Sequence, residues 1–327
     1  MKILVTGGTG LIGNDLARTL VQRGHEVRAL VRSPQRARRL LPSEVTLIEG
    51  DVTVPQSLEP ACQGVERVFH AAGIPEQWQA DDSIFDRVNR GGTVNVLSAA
   101  LRAGVKRVIY TSTMDVFAAP AGGTLVESNL DPHPKHTAYE RSKQAAEQEA
   151  ERIRLQGLEV VYVNPAAVYG PGPVHEGTNS FFIKLMNRSV PLLPPGGMAL
   201  AFVRGVTAVH LAAADRGQSG ERFLVADTHA TNLELARAIA AQVPGLKVPP
   251  VGPALALRAL AEVSAPLART FGFRPLIARG QLQFLLWNVR VDASKAVREL
   301  GFVPTLLEEG VRETIAALRE QGLVPRA

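Results

Sequence analysis

The chain has 327 residues, 46% hydrophobic and 20% charged, with a formal net charge of +5, enough for a large α/β domain with an added lobe and a full core. Only seven of its 36 basic residues are Lys, and no dense basic run carries interleaved aromatics, so a nucleic-acid partner is not expected. The single cysteine, Cys62, excludes an intramolecular disulfide and a cysteine-rich metal site, and no uncharged run reaches the roughly 18 residues of a membrane-spanning helix.

Ile3-Leu4-Val5 reads as a short buried strand, followed by Thr6-Gly7-Gly8-Thr9-Gly10-Leu11-Ile12-Gly13. Apolar residues at Leu11, Ile12, Leu16 and Leu20 then predict a helix. Strand, glycine turn and helix in that order form a dinucleotide-binding fingerprint, here spaced G-x-x-G-x-x-G. Gly7 lets the chain turn off the strand, Gly10 lets backbone approach a pyrophosphate, and Gly13 lets the helix lie close to the sheet. The helix start then offers N–H groups and its dipole to phosphate. Because the first apolar run is already a strand, no signal peptide is expected, and a cytoplasmic location is.

Glu26–Val31 reads as the second strand, with Arg32 at its end. NAD sites commonly place an acid near this point to hold the ribose 2′-hydroxyl. Here the stretch is Arg32-Ser33-Pro34-Gln35-Arg36, which suits the 2′-phosphate of NADP by charge and fork geometry. NADP is therefore expected, with NAD as the alternative. Val45–Ile48 predicts a third strand, ending in Gly50-Asp51-Val52, where Asp51 is placed to accept from an adenine amino group or to cap the next helix. Arg67–His70 predicts a fourth strand, and the small residues Ala71-Ala72-Gly73 would let a cofactor lie across the strand ends. The loop Ile74–Asp86 follows, with Trp78 facing substrate or packing beneath the loop.

Helical periodicity runs through Arg87–Ala103 and includes Asn89. Lys106–Thr111 predicts a fifth strand that delivers Thr111-Ser112-Thr113. A loop over the site is expected from Ala118 to Thr137, and a long helix over Ala138–Gln156. Val160–Val163 predicts a sixth strand, broken by Asn164-Pro165. Arg222–Val225 predicts a seventh that returns to the sheet.

Tyr139 and Lys143 lie four residues apart on the long helix, on one face. Hydride transfer to a carbonyl needs a proton donor at the oxygen. A tyrosine with pKa near 10 serves at neutral pH only if its anion is stabilised, which a lysine one turn away supplies. Thr113 would place a hydroxyl on the substrate oxygen, and Asn89 would hold a water linking Lys143 to solvent.

Together these motifs resemble the extended short-chain dehydrogenases/reductases of the NAD-dependent epimerase/dehydratase family. Further matches are Asn89-Arg90-Gly91-Gly92-Thr93, Asn164-Pro165-Ala166-Ala167-Val168-Tyr169-Gly170-Pro171-Gly172 and the C-terminal Asp292–Pro304 stretch. The chain is most similar to the dihydroflavonol-4-reductase-like and 3β-hydroxysteroid-dehydrogenase-like branch. The resemblance implies Tyr139, Lys143, Thr113 and Asn89 as the catalytic set. It implies cofactor contacts at Gly7, Gly10, Leu11, Ile12, Gly13, Arg32, Arg36, Asp51, Val52, Ala71, Ala72, Gly73, Thr111, Tyr139, Lys143, Pro165, Ala166 and Val168, and no metal.

The expected architecture is α/β: a doubly wound parallel Rossmann sheet with a smaller, mostly helical C-terminal substrate lobe. The dinucleotide-binding domain spans 1–172, with 205–227 returning to it; 173–204 and 228–327 form the lobe. Burial in that lobe is expected for the Ala- and Leu-rich stretch Leu255–Leu267. The resemblance allows a homodimer through the two long helices.

The expected activity is NADP-dependent interconversion of a ketone and a secondary alcohol on a small, fairly apolar molecule. Two alternatives stand beside it: a nucleotide-sugar epimerase or dehydratase with tightly bound NAD(P), and a non-catalytic NAD(P)-binding protein. Three departures from the family pattern are Asn164 where Arg is frequent, Gly205 where Asp is common, and Phe117 where Tyr is usual. Arg204 and Lys184 remain as candidates to grip a sugar-nucleotide diphosphate.

Overall fold

The computed structural model describes residues 1–174, 177–271, 275 and 279–325. Seven parallel strands form the central sheet: β1 (Lys2–Thr6), β2 (Glu26–Val31), β3 (Thr46–Glu49), β4 (Arg67–His70), β5 (Arg107–Thr111), β6 (Glu159–Pro165) and β7 (Arg222–Val225). Their spatial order is β3-β2-β1-β4-β5-β6-β7. Strand order reverses between β1 and β4, and ligands of such sheets bind outside the carboxyl ends of the strands at that switch point.

Helices cover both faces. On one side α1 (Leu11–Gln22) contacts a helix at Val203–Arg216. On the other a helix at Gly92–Arg102 lies beside the long helix at Ala138–Arg154; these are α2 (Gly92–Arg102), α3 (Ala138–Arg154) and α4 (Val203–Arg216). Alternation along β5 divides its side chains between the two cores. Ile109 joins Ile3, Val5 and Leu16 on the α1 side. Val108 and Tyr110 join Leu97, Ala146 and Ala150 on the α3 side. Cys62 is fully buried in this second core, and burial pushes its thiol up to about 11.

β6 runs two residues further than the sequence pattern suggests. Its ladder with β5 ends at Thr111 opposite Val163, while its pairing with β7 continues to Pro165 opposite Val225. Proline sits where one neighbour has already ended, so little ladder bonding is lost.

Beyond the Rossmann layers lies a third core around Tyr169, Phe182, Leu200 and Ile315. This region is less helical than expected. It holds a three-stranded sheet of Ala167–Tyr169, Gly197–Phe202 and Thr228–Thr231 and a helix at Arg279–Trp287 that the sequence pattern does not announce. The helix at Ala254–Phe271 departs from the expected burial. Leu257 and Ala261 are buried, but Leu255, Leu260, Val263 and Leu267 are exposed. Among the described residues no helix is long and apolar enough to cross a membrane.

Candidate active site

The glycine loop joins β1 to α1 at the switch point. Gly7 has φ +74, and a Cβ there would lie 2.6 Å from the Ala71 carbonyl carbon. A Cβ on Gly13 would lie 2.3 Å from the Gly7 carbonyl oxygen. Both are distances no side chain tolerates, so glycine is required for the loop to close against Ala71 and for α1 to sit on it. Gly10 is the N-cap of α1 and makes no side-chain cap. The amides of Leu11 and Ile12 meet no acceptor among the described residues. They are orphan donors at the positive end of a helix, which suits a pyrophosphate.

Arg32 is exposed at the end of β2, with no hydrogen bond or ion pair among the described residues. Arg36, on the short helix Pro34–Arg38, is also exposed. These features fit a dinucleotide cofactor.

The expected catalytic residues gather at the start of α3. A capping box fixes that start: Thr137 Oγ1 accepts from the Glu140 amide at 3.0 Å, and Glu140 Oε2 accepts from the Thr137 amide at 2.8 Å. The Thr137 hydroxyl donates to Glu76 Oε2 at 2.7 Å, tying the loop after β4 to the helix. Tyr139 follows in the first turn, its ring edge-on to Phe85 at 6.1 Å. The Tyr139 phenol lies near the Thr113 hydroxyl, which donates to Asp115 Oδ2 at 2.8 Å. Burial first, then the neighbouring Asp115 carboxyl, holds that phenol well above its usual range.

Lys143 is buried one turn on. Its ammonium donates to the Tyr110 hydroxyl at 3.0 Å and the Thr111 carbonyl at 2.9 Å, and lies 4.6 Å over the Tyr110 ring. One of its three N–H donors is left for a ligand. Tyr110 was not anticipated as its partner. The signal lay in strand alternation, which turns Tyr110 toward α3 and Thr111 away from it. The Thr111 side chain accordingly meets His210 Nε2 at 2.8 Å on the α4 side. Only its backbone faces Lys143.

Asn89 departs from the water-holding geometry expected of it. Its Oδ1 accepts from the Ile74 amide at 2.8 Å, and its Nδ2 lies 3.1 Å from the Ile74 carbonyl and 3.0 Å from Ser142 Oγ. Ser142 in turn donates to the Tyr139 carbonyl at 2.6 Å. The side chain clamps the loop after β4 to the first turn of α3. It can do so because Asp86–Gly91 is a π-helical segment leading into α2, a distortion often found at functional sites. Gly73 is tight here, since a Cβ would lie 3.1 Å from Asn89 Oδ1.

A family model for the NAD dependent epimerase/dehydratase family matches residues 3–226. The chain belongs to that family. Its similarity to sterol demethylase protein B of Methylococcus capsulatus is 32% identity, over 99% of this chain and 100% of the relative. Its similarity to a putative dihydroflavonol 4-reductase of Synechocystis is also 32%, over 98% and 95%. A crystal structure titled gox2253 matches with a TM-score of 0.80 at 30% identity, covering 99% of each chain. The family is one of NAD(P)-dependent oxidoreductases of the extended short-chain type.

The other residues expected at a cofactor sit as follows. Asp51 Oδ1 accepts from the Thr53 amide and hydroxyl, both at 2.8 Å, so one carboxylate oxygen holds the turn after β3. Val52 lies against Gly92 of α2. The Ala72 amide donates to Thr6 Oγ1 at 3.3 Å. Pro165 and Ala166 are buried at the end of β6, and Val168 is half-buried in the strand that follows. The loop beyond folds back on α1, since a Cβ on Gly172 would lie 2.8 Å from Leu11 Cδ1.

Asn164 is buried; its Nδ2 donates to Glu147 Oε1 at 2.8 Å and to the Thr113 carbonyl at 3.1 Å. The cation for Glu147 comes instead from Arg222 on β7, whose Nε lies 2.8 Å from Oε2. Among the described residues no cluster of His, Cys, Asp and Glu has the form of a metal site.

Proposed function

We propose that this protein interconverts a ketone and a secondary alcohol on a small, fairly apolar molecule, with NADP preferred over NAD. The observation that carries the reading is Tyr139 and buried Lys143 one turn apart on α3, with Lys143 bonded to the end of β5 that leads to Thr113, in a sheet whose first strand feeds the unpartnered first-turn amides of α1. When bound, the nicotinamide gives or takes the hydride. Tyr139 gives or takes the proton at the substrate oxygen, and Thr113 orients that oxygen. The remaining donor of Lys143 is available to the nicotinamide ribose and lends positive charge to the phenolate. The exposed guanidinium of Arg32 supports NADP through a charge-assisted pair with the 2′-phosphate.

Two points weigh against a diphosphate-bearing substrate. Arg204 Nη1 is 2.8 Å from Glu313 Oε2, in an ion pair of its own. Asn164 is neutral and buried, and its Nδ2 is taken by Glu147 and the Thr113 carbonyl. The names of the relatives, a sterol demethylase protein and a dihydroflavonol reductase, support an apolar substrate and reduction.

The test is titration of the purified protein with NADPH and NADH, followed by reduction of the probe ketone 1-tetralone. Exchangeable NADPH binding, turnover of the ketone, and a loss of about 10²- to 10⁴-fold in Tyr139→Phe are expected. A cofactor that co-purifies and does not exchange, with no ketone turnover, would favour the epimerase reading. Near-native turnover by Tyr139→Phe would remove the proton-donor assignment.

A further inference from the structure

The helix Ala254–Phe271 in the C-terminal lobe has two apolar sides. On one, Leu257 and Ala261 pack against Leu282 and Leu286 of the helix Arg279–Trp287. At about 100° per residue, Leu255, Ala256, Ala259, Leu260, Val263 and Leu267 fill a separate arc of about 140°, and all six are exposed. Leu255 is 80% exposed and Val263 62%. The arc continues beyond the helix start. Val251, four residues before Leu255, is exposed, and so is Leu192 beside it, where Leu193 and Val251 bridge the two segments. A Cβ on Gly252 would lie 3.3 Å from Leu192 Cδ1, so the two segments form one apolar surface. A continuous exposed apolar surface of this kind marks a place of contact.

The positive charge of the chain gathers around the same surface. Of its 36 basic and 31 acidic residues, the segment from Leu235 to Val291 holds seven basic ones and a single acid, Glu262. The other 270 residues hold 29 basic and 30 acidic ones. All of the net positive charge therefore lies in this segment. Arg258 is exposed on the helix, outside the apolar arc, and Lys247 is exposed in the stretch before it. Arg188, also exposed, donates to the Gly245 carbonyl at 3.4 Å and so stands near Lys247.

We propose that this surface docks on a bilayer containing anionic lipid, with the helix Ala254–Phe271 lying in the interface and not across it. Among the described residues no helix is long and apolar enough to cross, whereas an amphipathic helix with Leu and Val on one face and Arg beside them settles at the headgroup level. The apolar arc enters the acyl boundary. Arg188, Lys247 and Arg258 keep their charged ends among the lipid phosphates, and the aliphatic stem of Arg258 lies along the apolar boundary. A second copy of this chain fits the surface less well, because a two-fold contact would set the same excess of positive charge against itself.

The docked face is tied to the catalytic end. The helix Arg279–Trp287 on which it rests places Gly280 against the Glu76 carboxyl and donates from Trp287 Nε1 to the Ala119 carbonyl at 3.0 Å. Glu76 accepts from Thr137, two residues before Tyr139. Docking therefore brings the loops around Tyr139 toward the lipid, where an apolar substrate concentrates; this consequence alone rests on the proposed function.

The test is flotation of the purified full chain with vesicles of phosphatidylcholine alone and of phosphatidylcholine mixed with phosphatidylglycerol. Binding to the mixed vesicles is expected to be at least about 10-fold tighter than to the neutral ones and to weaken as salt rises. Leu255→Gln and Val263→Gln leave charge and helix propensity in place and should each weaken binding about 10-fold, and Arg258→Gln about 5-fold, all with unchanged urea midpoints. An environment-sensitive fluorophore on Val263→Cys should shift to the blue on mixed vesicles, the native Cys62 being fully buried. Tyr139→Phe should bind vesicles as the wild type does, so a failure of ketone turnover leaves the docking surface standing. No binding to mixed vesicles, equal binding to both kinds, or undiminished binding by the double variant Leu255→Gln, Val263→Gln would overturn the proposal. A lipid-free dimer that the double variant dissociates would also overturn it and assign the face to a second copy.

Discussion

Replacing Asn89 by alanine separates a clamp from a proton carrier. Three hydrogen bonds disappear, to the Ile74 amide, the Ile74 carbonyl and Ser142 Oγ. A buried donor left without an acceptor costs about 1–3 kcal/mol, and each ordinary bond lost costs about 1 kcal/mol. Ile74 is half-buried, so water recovers part of this, and the expected loss is about 3 kcal/mol. Ser142 keeps its bond to the Tyr139 carbonyl, so α3 should remain helical while its first turn loosens from the loop. Urea denaturation should show a lower midpoint with an unchanged slope. Turnover of 1-tetralone should fall, with the pH dependence of kcat/KM unaltered. A variant within about 0.5 kcal/mol of wild type, yet with turnover lost and its pH profile shifted, would refute the clamp and place Asn89 on the proton path.

Two further outcomes can be checked directly. Arg32→Asp should weaken NADPH binding by about 10- to 100-fold and leave NADH binding equal or improved, as expected when a charge-assisted pair becomes a like-charge contact; an unchanged ratio of the two dissociation constants would make Arg32 a bystander. Glu76 is pushed up to about 8, by burial first and by the Asp115 and Glu140 charges, with Thr137 opposing. A folded-state value above the unfolded one favours folding at low pH and loses that contribution as pH rises. Glu76→Gln should therefore gain stability relative to wild type as pH goes from about 5 to 8, read as a growing difference in urea midpoints. A constant difference would mean that Glu76 is ionised throughout.

Local features of the site were legible in the sequence, and those set by tertiary contact were not. The glycine loop, the end of β2 and the Tyr139–Lys143 spacing are each written within a few residues of one element. β2 and β4 fall at the expected Glu26–Val31 and Arg67–His70. The strand Gly197–Phe202 was missed because Met198–Val203 is an unbroken apolar run of helix-tolerant residues that passes into α4 without a turn residue. The face of Thr111 could have been read from strand alternation. By contrast, the occupied side chain of Asn89 depends on Ile74 and Ser142, 15 residues before it and 53 after it, and the supply of Arg222 to Glu147 crosses 75 residues. No pattern in one segment encodes such partners.

Histidine is the residue most expected to titrate near neutrality, yet the two beneath this site do not. His210 Nδ1 faces the Val206 carbonyl at 2.8 Å, so that nitrogen carries the hydrogen and Nε2 accepts from Thr111. Thr93 donates to the Asn89 carbonyl at 2.6 Å, so it must accept from His70 Nε2–H at 3.1 Å, leaving His70 Nδ1 to accept from Thr6 at 2.7 Å. A second proton on either ring would set donor against donor in a buried place. Burial holds His70 down at about 3 and His210 at about 4. The chain from the Ala72 amide through Thr6, His70 and Thr93 to Asn89 thus keeps one hydrogen-bond direction across the working range of pH. A scaffold whose two buried histidines stay neutral leaves titration near neutrality to the Asp115 and Glu76 carboxyls, pushed up by burial to about 6 and about 8.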